Sequence, residues 1–159
     1  MRKLFLTLFY SGLSPKAPGT MGSIVALVLG LLLLLYIDVT TLLLLSILIT
    51  VIAVKHINEY EKEVGEHDSK EIVIDELAGM WIALSICVPN PNDMNQFLIM
   101  GGLAFVFFRL FDIWKPSIIG RIDEKVEGGW GVMGDDLVAG IAAGVAASGV
   151  YQLLIKFIL

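Results

Sequence analysis

Two runs of uninterrupted apolar residues, 23–37 (SIVALVLGLLLLLYI) and 39–54 (VTTLLLLSILITVIAV), are separated by Asp38 alone. A segment that offers no polar face cannot sit at the surface of a water-soluble domain, and it is long enough to approach the roughly 20 residues a helix needs to cross a hydrocarbon core. Three further runs follow. Residues 72–88 carry Asp75 and Glu76 near their start and stop at Pro89. Residues 97–114 carry Arg109 and Asp112 near their end, ahead of Pro116. Residues 137–159 hold Gly140, Gly144, Gly149 and several alanines, with Lys156 near the end. Lipid leaves backbone groups no partner except within a helix or a closed barrel, and runs of this kind specify helices. The expected fold is all-α: a polytopic membrane bundle of about five transmembrane helices in one domain, 1–159, with residues 4–10 as a short interfacial helix.

Composition agrees. The chain is 57% hydrophobic and 17% charged, against about 45–50% and 25% for soluble domains. So much apolar surface excludes disorder, and the single cysteine, Cys87, excludes a disulfide framework. A net charge of -5 argues against a nucleic-acid partner, which needs a basic face. Arg2 and Lys3 precede a short apolar stretch, but no small-residue cleavage site follows, so no secretory signal is expected. If all five runs cross, nine of the 11 basic residues fall on one side: Arg2, Lys3, Lys16, Lys55, Lys62, Lys70, Lys115, Arg121 and Lys125. That side is expected to be cytoplasmic, with the N-terminus on it.

Four segments on that same side hold nearly every unusual residue. The first, SGLSPKAPGTMGS (11–23), offers Ser14, Lys16, Gly19 and Thr20 ahead of an apolar helix, where backbone N–H groups bind anions; a plain helix start capped by Thr20 or Ser23 is the structural alternative. It lacks the spacing of a Walker loop. The second, GEHDSKEIVIDELAGM (65–80), places adjacent acids, Asp75 and Glu76, inside an otherwise lipid-compatible run, where each costs about 2.5–3.5 kcal/mol and points to function. His67 and Asp68 precede them, His67 as a candidate substrate contact. In the third, FRLFDIWKP (108–116), Arg109, Asp112 and Lys115 share one helix face. Two cations beside a carboxylate suit a phosphate and its metal; an internal Arg109–Asp112 pair is the alternative. The fourth, GGWGVMGDDLVAG (128–140), brings Asp135 and Asp136 to the start of the last helix, where one of them is equally suited to capping.

Asp75, Glu76, Asp112, Asp135 and Asp136 are hard oxygen donors of the kind that hold Mg²⁺, and five acids without a cation would repel one another. No His/Cys set for structural zinc is present. Motifs for cysteine-phosphate, aspartyl-phosphate and membrane alcohol-phosphotransferase chemistry are missing, and His56 and His67 give little support to a phosphohistidine route. Metal-assisted attack by water, with Arg109 and Lys115 neutralising phosphate oxygens, is the chemistry these residues support.

With these four strings in this order, the chain resembles the phosphatidylglycerophosphatase A family of bacterial inner-membrane lipid phosphatases, over residues 11–140. The resemblance implies Mg²⁺-dependent dephosphorylation of phosphatidylglycerophosphate to phosphatidylglycerol, with the acids above, Arg109 and Lys115 at the family's functional positions. The implied location is the inner (cytoplasmic) membrane, and the implied partners are the lipid substrate and the bilayer. A small ion or metal transporter using the same buried acids is the alternative of a different class. It would need polar residues on both faces, whereas the far loops offer only Asp38 and Asp93. A non-catalytic lipid-binding subunit is a further option.

Overall fold

The computed structural model describes residues 1–65 and 69–158, and among them it has seven α-helices and no strand. They are α1 (Arg2–Leu6), α2 (Pro18–Leu34), α3 (Val39–Val64), α4 (Ile74–Cys87), α5 (Met94–Trp114), α6 (Ile118–Lys125) and α7 (Gly129–Ile158), with a 3₁₀ turn at Ser11–Leu13. The all-helical expectation holds. Three of the helices, α3, α5 and α7, are long and apolar enough to cross a membrane, whereas α2 has 17 residues and α4 has 14.

Chain direction alternates along the bundle. At one end Gly19 and Ser23 of α2, Glu76 of α4 and Arg109 of α5 meet, and Gly129 of α7 lies against Val54 of α3. At the other end Gly30 of α2 lies against Leu84 of α4, and Leu31 of α2 against Gly101 of α5. The short connections 35–38 and 88–93 turn the chain there. Asp38 accepts hydrogen bonds from the Thr41 amide and hydroxyl, and Asp93 from the Asn95 and Gln96 amides. Each satisfies orphan donors at the start of a helix.

The residues of α4 are apolar almost all round because α4 is the central helix. It packs against α2, α3, α5 and α7, and no large apolar side chain on it is exposed. Its polar edges are tied to neighbours: Ser46 of α3 donates to the Ala78 carbonyl at 2.8 Å, and the Trp81 indole donates to the Ala26 carbonyl at 2.9 Å. The tightest seam runs along α7. A Cβ on Gly79 would lie 2.5 Å from the Asp136 carbonyl, one on Gly140 would strike the Gly79 backbone, and one on Gly144 would lie 2.6 Å from Ile86. Small residues at this spacing let helix backbones approach closely. Gly149 faces open space and has no such role.

Several boundaries differ from the sequence expectation. The interfacial helix ends at Leu6, and residues 8–10 turn with positive φ at Leu8, Phe9 and Tyr10. Helix α2 begins at Pro18 with Ala17 as its N-cap, so neither Thr20 nor Ser23 caps it. Pro fits there because the first helical N–H has no partner to lose. Helix α6 is an addition: an amphipathic segment whose Ile119 is buried and whose Ile122 faces Gly134 of α7. Helix α7 starts at Gly129, eight residues before the apolar run, which puts Asp135 and Asp136 in its second turn rather than at its cap.

Candidate active site

The ends of α2, α4, α5 and α7, joined by α6, surround a cavity of about 420 Å³. Its acidic lining is Asp75, Glu76, Asp112, Asp123, Asp135 and Asp136, joined by Lys70, Lys115, Pro18 and Gly19. A floor of this kind exists because each helix places its polar residues within a turn or two of one end, while the remainder of each is fit only for an apolar environment.

Three of the predicted acids converge. Asp112, Asp135 and Asp136 each present a carboxylate oxygen, and these oxygens lie within 4.8 Å of one another. Asp135 and Asp136 are buried, and Asp135 Oδ1 has no hydrogen-bond partner among the described residues. A buried anionic oxygen left unpaired costs about 1–3 kcal/mol or more. Beside two further carboxylates, and with no softer ligand in the group among the described residues, Asp135 fits a hard divalent cation. Asp75 lines the same cavity, and one of its oxygens accepts from the Glu76 amide at 2.9 Å.

The two predicted cations are both engaged with acids. Arg109 Nη1 lies 2.7 Å from Asp112 Oδ2 and 2.7 Å from Glu76 Oε2, and it donates to Ser23 Oγ at 3.1 Å. The Ser23 hydroxyl, fully buried, also reaches Glu76 Oε2. Glu76 is therefore committed to Arg109 and Ser23 and lies outside the converging trio. The internal Arg109–Asp112 pair exists, but as half of a bridge. Lys115 makes a second bridge of the same kind: its Nζ is 2.5 Å from Asp123 Oδ1 and 2.9 Å from Asp135 Oδ2. Burial by itself would lower the Lys115 ammonium, but hydrogen bonds to Asp123 and Asp135 outweigh it and raise the group above the usual lysine range. Lys115 is thus charged at any pH near neutrality. It caps α5 with φ 45°, which takes it off the face shared by Arg109 and Asp112 and turns it toward α6.

Of the N-terminal loop, Gly19 reaches the cavity, where any Cβ would collide with Glu76; only glycine leaves that space open. Ser14 donates to the Lys16 carbonyl at 2.9 Å, Lys16 is exposed, and neither these two nor Thr20 lines the cavity. His67 and Asp68 lie outside the described residues. Sequence reasoning did not single out Ser23 or Asp123 as site residues. Ser23 was visible only as a candidate cap, and Asp123 stood in a polar stretch with no helix expected around it.

The family model of phosphatidylglycerophosphatase A matches residues 4–151. The chain belongs to this family. It is 43% identical to phosphatidylglycerophosphatase A of Escherichia coli K12 over 86% of this chain and 76% of that one, and 38% identical to the Haemophilus influenzae protein of the same name over 85% and 79%. A protein of Bacteroides thetaiotaomicron, 39% identical over 84% of this chain and 82% of its own, bears the provisional name of a phosphatidylinositol-3-phosphatase. No solved structure matches. As a member of the phosphatidylglycerophosphatase A family the chain is a phosphoric monoester hydrolase.

Proposed function

We propose that the protein hydrolyses the terminal phosphomonoester of phosphatidylglycerophosphate to phosphatidylglycerol and phosphate. On this reading it uses Mg²⁺ at the cytoplasmic face of a bacterial inner membrane that it crosses five times. The substrate comes from the names of the Escherichia coli and Haemophilus influenzae relatives. The observation that carries the chemistry is the meeting of Asp112, Asp135 and Asp136 at one end of an apolar bundle, with a buried unpaired oxygen among them.

Asp112, Asp135 and Asp136 would hold the ion, with Asp75 beside them. When bound, Mg²⁺ supplies Lewis-acid polarisation of a phosphoryl oxygen and offsets the mutual repulsion of the carboxylates. The rest falls to the chain. Arg109 and Lys115 keep two positive charges at the rim of the trio, where phosphate oxygens gain charge as the P–O bond breaks. Behind Pro18, which has no N–H, the first turn of α2 presents the Gly19 and Thr20 backbone N–H groups, which no helical carbonyl satisfies, an ordinary way of seating an anion. The acyl chains remain in the bilayer beside the apolar helix faces. Water supplies the oxygen retained by the released phosphate, and its proton ends on the glycerol oxygen.

A translocation path finds no support. Asp38 and Asp93, the two acids of the far loops, are both used as helix caps. The test is phosphate release by purified protein in detergent from phosphatidylglycerophosphate, phosphatidate, phosphatidylinositol 3-phosphate and a soluble phosphomonoester. Phosphatidylglycerophosphate is expected to be hydrolysed fastest, with EDTA abolishing release and Mg²⁺ restoring it. Activity that survives EDTA would overturn the metal assignment, and preference for the inositol lipid would overturn the substrate.

A further inference from the structure

Lys115 stands where a cation must not stay if a second cation is to bind. Its Nζ occupies Asp135 Oδ2 at 2.9 Å, while Asp135 Oδ1 is buried and without a partner among the described residues, and Asp135 offers one oxygen within 4.8 Å of oxygens of Asp112 and Asp136. A divalent ion on Asp135 would sit a few ångströms from this ammonium and repel it. The ammonium has somewhere else to go. Asp123 Oδ1, 2.5 Å away on the opposite side of Nζ's bridge, belongs to α6 and is outside the converging trio. Helix α6 is held in place for this by Ile119, which is buried, and Ile122, which packs at Gly134 one residue before Asp135. Arg109 shows the same design, with Glu76 as the outer acid and Asp112 as the inner one.

We propose that Asp123 is a positioning residue that gives the Lys115 ammonium a second seat, so that Asp135 can turn to a divalent cation while Lys115 stays at the cavity. This rests on the metal site proposed above. Without Asp123, Asp135 is the one carboxylate partner left to Lys115 among the described residues, and the ammonium competes directly with the ion. With Asp123 in place, the ammonium would keep a carboxylate partner at the cavity when Asp135 is given up to an ion. Lys115 then remains available to a phosphate.

The experiment is Mn²⁺ binding to the purified, detergent-solubilised full chain, read by electron paramagnetic resonance, with the substitutions made singly and together. Asp123→Asn is expected to raise the Mn²⁺ dissociation constant about fivefold, a normal size for coupling between groups in contact. Asp123→Glu, which keeps the carboxylate, is expected to restore binding to within about twofold of wild type. In a Lys115→Met background, Asp123→Asn is expected to change binding by less than about twofold, because the competitor is gone. An equal loss in both backgrounds would show a general field effect and overturn the proposal, as would unchanged binding by Asp123→Asn alone. A wild-type chain that binds no Mn²⁺ would end the metal site itself, and this inference with it.

Discussion

Arg109 is the side chain on which the site's geometry turns. One nitrogen, Nη1, serves Glu76, Asp112 and Ser23 together. The guanidinium plane fixes the directions of the two N–H groups of Nη1 and so the placement of Glu76 and Asp112, whereas an ammonium, as at Lys115, can bridge two acids but sits on a flexible stem that does not fix their orientation. Arg109→Lys is therefore expected to keep the net charge and loosen the bridge. Asp112 would then drift from the trio, and kcat would fall about 10–100-fold, the usual cost of losing a group that orients a metal ligand. Asp136→Asn removes a converging oxygen outright and is expected to lower kcat by roughly a hundredfold or more. The two are separated by titrating Mg²⁺: excess ion should recover part of the activity of Arg109→Lys and little of that of Asp136→Asn. Equal activity of Arg109→Lys and wild type at limiting Mg²⁺ would remove Arg109 from this role.

Among the elements, the contact between α4 and α7 holds the acids together, since Gly79 packs on the Asp136 carbonyl and Gly140 on the backbone of Gly79. Gly79→Ala places a methyl 2.5 Å from that carbonyl and 2.6 Å from Phe108 Cε2, so the helices must part. Overpacking of this kind costs about 1–3 kcal/mol. Gly149→Ala, in open space on α7, should cost nothing by comparison. Thermal unfolding in detergent, with Mn²⁺ binding as a second readout, distinguishes them: Gly79→Ala should lose both stability and ion affinity. The same elements show what was legible in the sequence. The apolar runs announced α2, α3, α5 and most of α7, because a stretch that cannot face water declares itself by composition. The acids inside those runs pointed to the candidate site for the same reason, since Asp75, Glu76 and Asp112 all line its cavity. The role of α4 was hidden, since a helix buried by protein and one facing lipid are equally apolar. Helix α6 and the early start of α7 were hidden by glycines and charges that read as loop, and Asp123 went unremarked with them. The division of Glu76 from the trio depends on which way Arg109 reaches, which spacing along one helix does not determine.

At the scale of the whole molecule, α2, α3, α5 and α7 each expose large apolar side chains, among them Val28, Leu48, Val106 and Val145, while α4 exposes none. An exposed apolar surface on four sides of a bundle has no counterpart in water and suits a bilayer. Helix α4, at 14 residues, rises only about 21 Å, less than the roughly 30 Å hydrocarbon thickness. Its neighbours cover the difference, which lets Asp75 and Glu76 begin the helix without facing lipid. The alternation of the five long segments brings every site-bearing end to one side, the side that carries Arg109 together with the nine basic residues named above, ten of the 11. That side is expected to be cytoplasmic. In a Cys87→Ala background, Lys16→Cys tests the site end and Asn92→Cys the loop between α4 and α5, both positions being exposed. In intact spheroplasts a membrane-impermeant maleimide should label the cysteine at 92 and leave the one at 16 unlabelled until the membrane is permeabilised. Labelling of both without permeabilisation would mean that α2, α3 and α4, the helices between the two positions, do not place them on opposite sides of a bilayer. The reverse pattern would place the candidate site outside the cytoplasm and overturn the proposed orientation.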